Sequence, residues 1–396
     1  MTHSAFEEAP DFSYAYEQHQ AYPTKRALML VCKDWTEIAT EFLYESVLVG
    51  LYGTGSAEKI AAVLRIPGRG SRLAWWVKRA DINVNAMDNA HVIIQELCTN
   101  LRVLLMFTVQ PNGGYYVVGV PILHPGSHLT TLSVTSTTLS IMFGESPSTL
   151  DHWRYLTIII LDEACTAVPI LPQLLSLTIV LPIADSAAGL AAIGSWSWSC
   201  PLLTHLSVHL SDDSDEFNDV TDLSIYLSDE FDSVYRLIEH FGPQLTFFAF
   251  TVLETYAQPY IPPSTLYSFL KAMPNLKELV TPPLSDRVTL AEQGPLQGFR
   301  HEGIQVVGFP VHTNPNYEVN SHSVAHAQSA LLLFPNLRAV RITSAQKEYT
   351  AAHCRENPAM DELKCLTSLA RILEEVGIVL EDPTGEDVRR FILERG

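Results

Sequence analysis

Pro274–Val280 reads PNLKELV and Pro335–Ile342 reads PNLRAVRI. Each is a proline-marked turn followed by a leading Leu and, three residues on, a second apolar side chain. The same phrase returns as NLRVLLMF from Asn100, HLTTLSV from His128, PQLLSLTIV from Pro172, PLLTHLSVHL from Pro201 and PQLTFFAF from Pro243. Weaker copies are HWRYLTIII from His152 and PLQGF from Pro295. A short apolar run behind a turn signal reads as a buried strand.

The leading leucines fall at Leu101, Leu129, Leu174, Leu203, Leu245, Leu276, Leu296 and Leu337, and the degenerate copy near Trp153 fills the widest early gap. Spacings of about 20–30 residues, two of them near 41, suit a loose leucine-rich repeat in which each unit is one strand plus a returning helix or turn. Helical spacing ahead of several copies agrees: AHVIIQELCT, EFDSVYRLIEHF, STLYSFLKAM and SVAHAQSALLLF each carry apolar residues at three- and four-residue intervals and then meet Pro or Gly. A lone strand with one helix leaves its leucines half covered, whereas units in series share a core and a parallel sheet. The expected fold is therefore α/β: an irregular leucine-rich-repeat solenoid, a curved parallel sheet with helices on its outer face, occupying residues 51–377. Residues 1–23 lack any sustained period and read as a disordered tail. Residues 378–396 read as a C-terminal capping segment, preceded by an amphipathic helix that Gly377 stops; Thr384 and Asp387 have capping-box spacing.

Charge and composition exclude several classes. The 396 residues carry 25 Lys and Arg against 44 Asp and Glu, a formal net charge of -19, which argues against nucleic acid as a partner. No apolar run reaches the roughly 18 residues that cross a bilayer, so no membrane partner is expected. The acidic, aromatic start lacks the form of a signal peptide, and cytoplasm or nucleus is the expected location. Six scattered cysteines, Cys32, Cys98, Cys165, Cys200, Cys354 and Cys365, read as buried free thiols.

Catalytic and cofactor motifs give little. There is no GxSxG, GxxxxGK[ST], HExxH or strand-linked GxGxxG, so no catalytic residue and no cofactor is assigned. His322 and His326 would share a helix face with His312 upstream, but no acidic residue accompanies them and no metal site is assigned. Asp162 and Glu163 follow an apolar run where α/β enzymes place acids, with no second catalytic group beside them. The acidic stretch from Leu210 lacks the glycine and terminal Glu of a calcium loop and reads as a solvated insertion. Arg65, Arg69, Arg72, Lys78 and Arg79 form the main local basic cluster, expected to balance nearby carboxylates.

The front of the chain carries the one family signal. In ALMLVCKDWTEIATEFLYESVLVG, Ala27–Gly50, apolar residues at helical spacing give way to Val47-Leu48-Val49. Leu30-Val31-Cys32-Lys33-x-Trp35-x-x-Ile38-Ala39, followed by Phe42-Leu43-Tyr44-Glu45-Ser46-Val47, resembles the second half of an F-box as found at the front of basidiomycete F-box-like proteins with a leucine-rich region. The resemblance covers about 24 residues. It implies a substrate receptor without catalytic residues of its own, whose F-box docks on a Skp-type adaptor of a cullin ubiquitin ligase while the repeat surface holds a client protein. It carries Leu30, Val31, Cys32, Trp35 and Ile38 over as adaptor-facing or F-box-core positions within a partial F-box-like helix and first strand, residues 24–50. The opening Leu-Pro step and first helix of an F-box are missing from DFSYAYEQHQAYPT. A second reading therefore stands beside the first: a helix over Thr24–Tyr44 that only caps a repeat-built interaction scaffold, burying its Trp and Leu face. Client contacts are expected at positions between the leucines, Arg102, Thr130, Ser176, Thr204, Lys277 and Arg338.

Overall fold

The computed structural model describes residues 23–28, 30–32, 35–36, 39, 43–49, 57–67, 72–83, 90–109, 115–118, 129–135, 153–159, 170–182, 199–211, 228–253, 261–281, 296–309, 330–342, 361–382, 385 and 387–393. The chain is α/β, and within each unit the described strands pair in parallel but for one strand of the first unit. It divides into two compact units, residues 1–180 with 195–203, and residues 181–194 with 204–396.

In the first unit the strands β1 (Ser46–Val49), β2 (Arg79–Asn83), β3 (Val103–Val109), β5 (Thr131–Thr135), β6 (Tyr155–Ile159) and β7 (Ser176–Pro182, joined through Ser176–Val180) pair in parallel, in chain order. Helices α1 (Ala57–Leu64) and α2 (Ala90–Leu97) lie between the first three. Strand β4 (Tyr115–Val118) departs from the expected pattern, pairing antiparallel with β3. The connection is the reason: only QPNGG separates β3 from β4, a hairpin length, whereas a parallel return needs a dozen or more residues.

The second unit repeats the arrangement with β8 (His205–Ser211), β9 (Phe247–Leu253), β10 (Glu278–Val280), β11 (Val306–Phe309), β12 (Ala339–Ile342) and β13 (Val379–Glu381), all parallel and in chain order. Its helices are α3 (Ser228–Phe241), α4 (Pro263–Ala272), α5 (Asp361–Glu375) and α6 (Arg389–Leu393). The segment 378–396 thus adds a strand to the sheet as well as a terminal helix. Asp387 does not take the third helical position that capping-box spacing assigns it. Its Oδ1 accepts the N–H of Arg389 at 3.0 Å and so caps α6 itself; Thr384 lies outside the described residues.

Strand periodicity puts alternate side chains on opposite faces. One face is apolar throughout: Leu104, Leu156, Leu177 and Ile179 in the first unit, and Leu206, Val208, Phe248, Phe250, Leu279, Val307, Val340 and Leu380 in the second, are all buried. Helices cover it in the second unit, where the Phe248 ring meets Phe269 of α4 edge to face at 6.0 Å and Tyr235 of α3 stacks on Phe269 at 6.4 Å. Gly242 sits where α3 turns toward β9, and a Cβ there would lie 2.4 Å from the Ala272 carbonyl oxygen, so the close approach to the end of α4 needs glycine. Gly377 (φ +74°) ends α5 as expected, with the Ile378 N–H reaching back to Leu373 O at 2.8 Å.

Leu101, Leu129, Leu174, Leu203, Leu245, Leu276, Leu296 and Leu337 are all buried. Most receive the chain from a tight turn, their N–H bonded to the carbonyl three residues back, as in Leu276 to Met273 O at 3.2 Å and Leu337 to Phe334 O at 3.0 Å. Leu296 is the exception to its assigned role. It lies in a turn, and the residue that leads into β11 is Ile304, fully buried and followed by Gln305 and Val306, whose N–H groups both bond Lys277 O. The Pro295 copy is thus a buried turn ahead of the strand.

The front segment is not one continuous helix. Residues 23–28 are helical, a turn follows at Leu30 and Val31, and helical backbone is described again at 35–36, 39 and 43–44. Side-chain burial changes along it: Leu28, Leu30, Val31 and Trp35 are exposed, while Ala39 and Leu43 are buried next to β1. Cys98 and Cys200 are buried free thiols, whereas Cys32 is free and exposed. It sits where the chain leaves its first helix.

Candidate functional site

Two surfaces stand out once the buried side chains are set aside: the front segment, and the line of residues that leads into the sheet. Among the resemblance positions, Leu30 is 83% exposed, Val31 63% and Trp35 46%. Cys32 is exposed beside them, and Ile38 lies outside the described residues. The turn at 30–31 brings this about, since it interrupts the helical face that would otherwise continue into buried Ala39 and Leu43. A Trp-burying cap over Thr24–Tyr44 is therefore not what forms: Leu43 is buried and Trp35 is not. Thr36 Oγ1 donates to Cys32 O at 2.9 Å and starts the second helical piece. Burial lowers the Lys25 pKa, with the nearby Glu45 charge opposing that shift.

The leading line has a repeated backbone geometry. The residue just ahead of a strand repeatedly offers one carbonyl to two successive N–H groups of the next strand's start. Glu45 O accepts from Lys78 and Arg79, Lys78 O from Arg102 and Val103, Arg102 O from Thr130 and Thr131, Thr130 O from Arg154 and Tyr155, and Arg154 O from Leu175 and Ser176. In the second unit Thr204 O, Thr246 O, Lys277 O and Gln305 O do the same for the strands that follow them, at 2.8–3.2 Å. Asparagine side chains add a staple one residue before the leading apolar position. Asn100 Nδ2 donates to Trp75 O at 2.9 Å, Asn275 to Pro243 O at 2.7 Å and Asn336 to Glu302 O at 2.8 Å. Each ties one turn to the turn before it.

Of the expected client positions, Arg102, Thr130, Thr204, Lys277 and Arg338 lie on this leading line, and Ser176 lies one residue further, inside β7. Arg102, Lys277 and Arg338 are exposed. Sequence reasoning missed two members, Lys78 and Gln305, since the apolar residues ahead of them, Val77 and Ile304, have no proline or leucine to mark them. Val77 was hidden because the first inward position after it is the small Ala80 and the alternate residues, Arg79 and Asp81, are charged.

Arg79 and Asp81 are in fact a buried ion pair on the sheet face opposite the apolar one, Nε to Oδ2 2.9 Å, at 1% and 0% exposure. Burial raises the Asp81 pKa more than the Arg79 guanidinium lowers it. Lys78 pairs with Glu45 at 2.9 Å. These two members of the local basic cluster do balance carboxylates. The hydroxyls of Thr131 and Thr157, buried on the same face, have no hydrogen-bond partner among the described residues. Burial also pushes the Cys98 and Cys200 thiols up to about 12, which keeps both protonated and unreactive.

On the corresponding face of the second unit, Arg341 of β12 donates to Glu381 of β13 (Nη2 2.8 Å, Nε 3.0 Å) and reaches over β11 to Glu278 of β10 (Nη1 3.2 Å). Gly308, in register with Arg341, puts no side chain in its path. His205 stacks on Phe247 at 5.4 Å, and burial lowers its pKa against the opposing pull of Glu278. Deeper in the strands, His209 bonds Thr251 and is pushed down to about 4 by burial.

His312, His322, His326, Asp162 and Glu163 lie outside the described residues. Among the described residues no group of three or more His, Cys, Asp or Glu side chains is placed to hold a metal ion. No described helix is long and apolar enough to cross a membrane. By class, then, this is an α/β chain with parallel sheets and a few helices, and with exposed charged side chains just ahead of several strands of each unit. No protein-family model matches the chain, and a search of curated proteins finds no match.

Proposed function

We propose that the chain is a non-catalytic substrate receptor of the F-box-like kind, built as an irregular leucine-rich-repeat solenoid with its helices on the outer face. Residues 24–50 dock on a Skp-type adaptor of a cullin ubiquitin ligase, residues 51–377 form the repeat surface that holds a client protein, and residues 378–396 close the array. It works in the cytoplasm or nucleus, without a cofactor. The observation that carries this reading is the exposure of Leu30, Val31 and Trp35 within a six-residue stretch of the F-box-like segment. Single exposed apolar side chains are ordinary, but a group of them at a family's contact positions suits a partner that covers them. Truncating one anchor of such an interface costs ~2 kcal/mol or more, a roughly thirtyfold loss of affinity.

Co-purification tests it. A Skp protein is expected with the full chain and is lost with Trp35→Ala, whose exposed side chain can be removed without changing the melting temperature. Recovery of Skp undiminished by Trp35→Ala together with Leu30→Ala refutes the assignment of these residues.

The second reading, a repeat-built interaction scaffold with a degenerate F-box and no ligase role, rests on the Leu-Pro step and first helix that DFSYAYEQHQAYPT lacks. Absence of both Skp and cullin subunits from the purified complex selects it.

A further inference from the structure

The leading line runs against the charge of the chain. Lys78, Arg102 and Arg154 stand on it in the first unit and Lys277 and Arg338 in the second, with Glu45 the one acid among the described members. Glu45 is taken up by Lys78. Chain-wide the balance is 25 basic to 44 acidic residues, so a basic row is not what composition alone would place there.

The spacing is the same in each unit taken by itself. Arg102, Thr130 and Arg154 lead into the neighbouring strands β3, β5 and β6; Lys277, Gln305 and Arg338 lead into β10, β11 and β12. Each triplet is basic, neutral, basic. Arg102, Lys277 and Arg338 are exposed and pair with no carboxylate among the described residues. Two steps across a sheet separate the basic residues by about 9.6 Å. A polyproline II segment rises about 3.1 Å per residue with three residues per turn, so side chains at i and i+3 lie on one side about 9.3 Å apart. A β-strand does not match, because its same-side residues recur at about 6.7 Å and 13 Å.

We propose that the leading line of each unit binds an acidic client segment in polyproline II conformation, with carboxylates three residues apart facing the two basic side chains. The proposal rests on the reading of the chain as a client receptor and specifies the client's chemistry. A polyphosphate backbone is the poorer occupant, because two basic groups per unit release few counterions and the chain's net charge of -19 opposes it.

Fluorescence anisotropy with the full chain tests it, using a labelled peptide carrying Glu at every third position of a proline-rich background. Controls carry the same number of Glu in one block, or Gln in place of Glu. The regularly spaced peptide is expected to bind several-fold more tightly than the blocked one, and the Gln peptide not to bind. Lys277→Glu with Arg338→Glu, and separately Arg102→Glu, weaken binding roughly tenfold, with circular dichroism and melting unchanged. Equal binding of the spaced and blocked peptides, unaltered binding by the reversed variants, or tighter binding of a single-stranded RNA than of the peptide each overturns it. Trp35→Ala leaves peptide binding intact and the reversed variants leave Skp recovery intact, so this proposal and the adaptor reading fail independently.

Discussion

Replacing Asp81 by Asn removes one charge from the middle of β2 while keeping the volume of the side chain. Arg79 and Asp81 project from the same face two residues apart, with Nε 2.9 Å from Oδ2 and 3.2 Å from Oδ1. Both are within 1% of complete burial. The amide takes the Asp81 charge away from the buried guanidinium, which costs about 3–5 kcal/mol. For a unit of this size each kcal/mol lowers the melting temperature by about 2–4 °C, so Asp81→Asn lowers it by roughly 6–20 °C. Replacing both partners, Arg79→Met with Asp81→Leu, avoids that cost and is within about 1 kcal/mol of wild type or more stable, since desolvation of the pair offsets most of its attraction. Urea unfolding followed by near-ultraviolet circular dichroism gives the energies, and hydrogen exchange of peptides spanning β2 and β3 locates the loss. A single variant costing less than about 1 kcal/mol, or a double variant as unstable as the single one, refutes the burial argument.

Two further perturbations test the same sheet faces. Thr131→Val and Thr157→Val replace buried hydroxyls that lack partners among the described residues, so each is expected to be neutral or to stabilise by about 1 kcal/mol in urea titration; a loss of that size means that the hydroxyl is bonded. His209 has a folded pKa near 4 against an ordinary 6.5, so below pH 6.5 the unfolded chain takes up a proton that the folded chain refuses, and stability falls as pH drops toward 4. For this part-buried ring the loss is about 1–3 kcal/mol, and His209→Gln flattens it; parallel urea midpoints for variant and wild type between pH 7.5 and 5 contradict it.

Much of the fold was legible because the leading leucines obey local rules. A turn, a buried leucine and an apolar residue three positions on are all visible in PNLKELV and PNLRAVRI, and the structure gives both a parallel strand. Legibility failed at β2, where the face opposite the apolar one is buried and polar. Arg79, Asp81 and Asn83 are buried in β2, which nothing near them in the chain announces, because a buried charge is acceptable only once its partner is in place. It failed again at Leu296, whose burial mimics a strand start although Ile304 is the residue that leads into β11. The candidate site was half legible: resemblance picked out Leu30, Val31 and Trp35, and only coordinates separate them from buried Ala39 and Leu43.

By itself the sequence determined the α/β class, most strand starts and the helices α2, α3, α4 and α5, because hydrophobic period and turn chemistry act between residues close in the chain. Tertiary structure alone decided the antiparallel β4, the Arg79–Asp81 and Arg341–Glu278 pairings, and the alignment of Arg102 with Arg154 and Lys277 with Arg338. Those depend on which residues of neighbouring strands stand opposite one another, and register between strands is set by the packing of both faces at once.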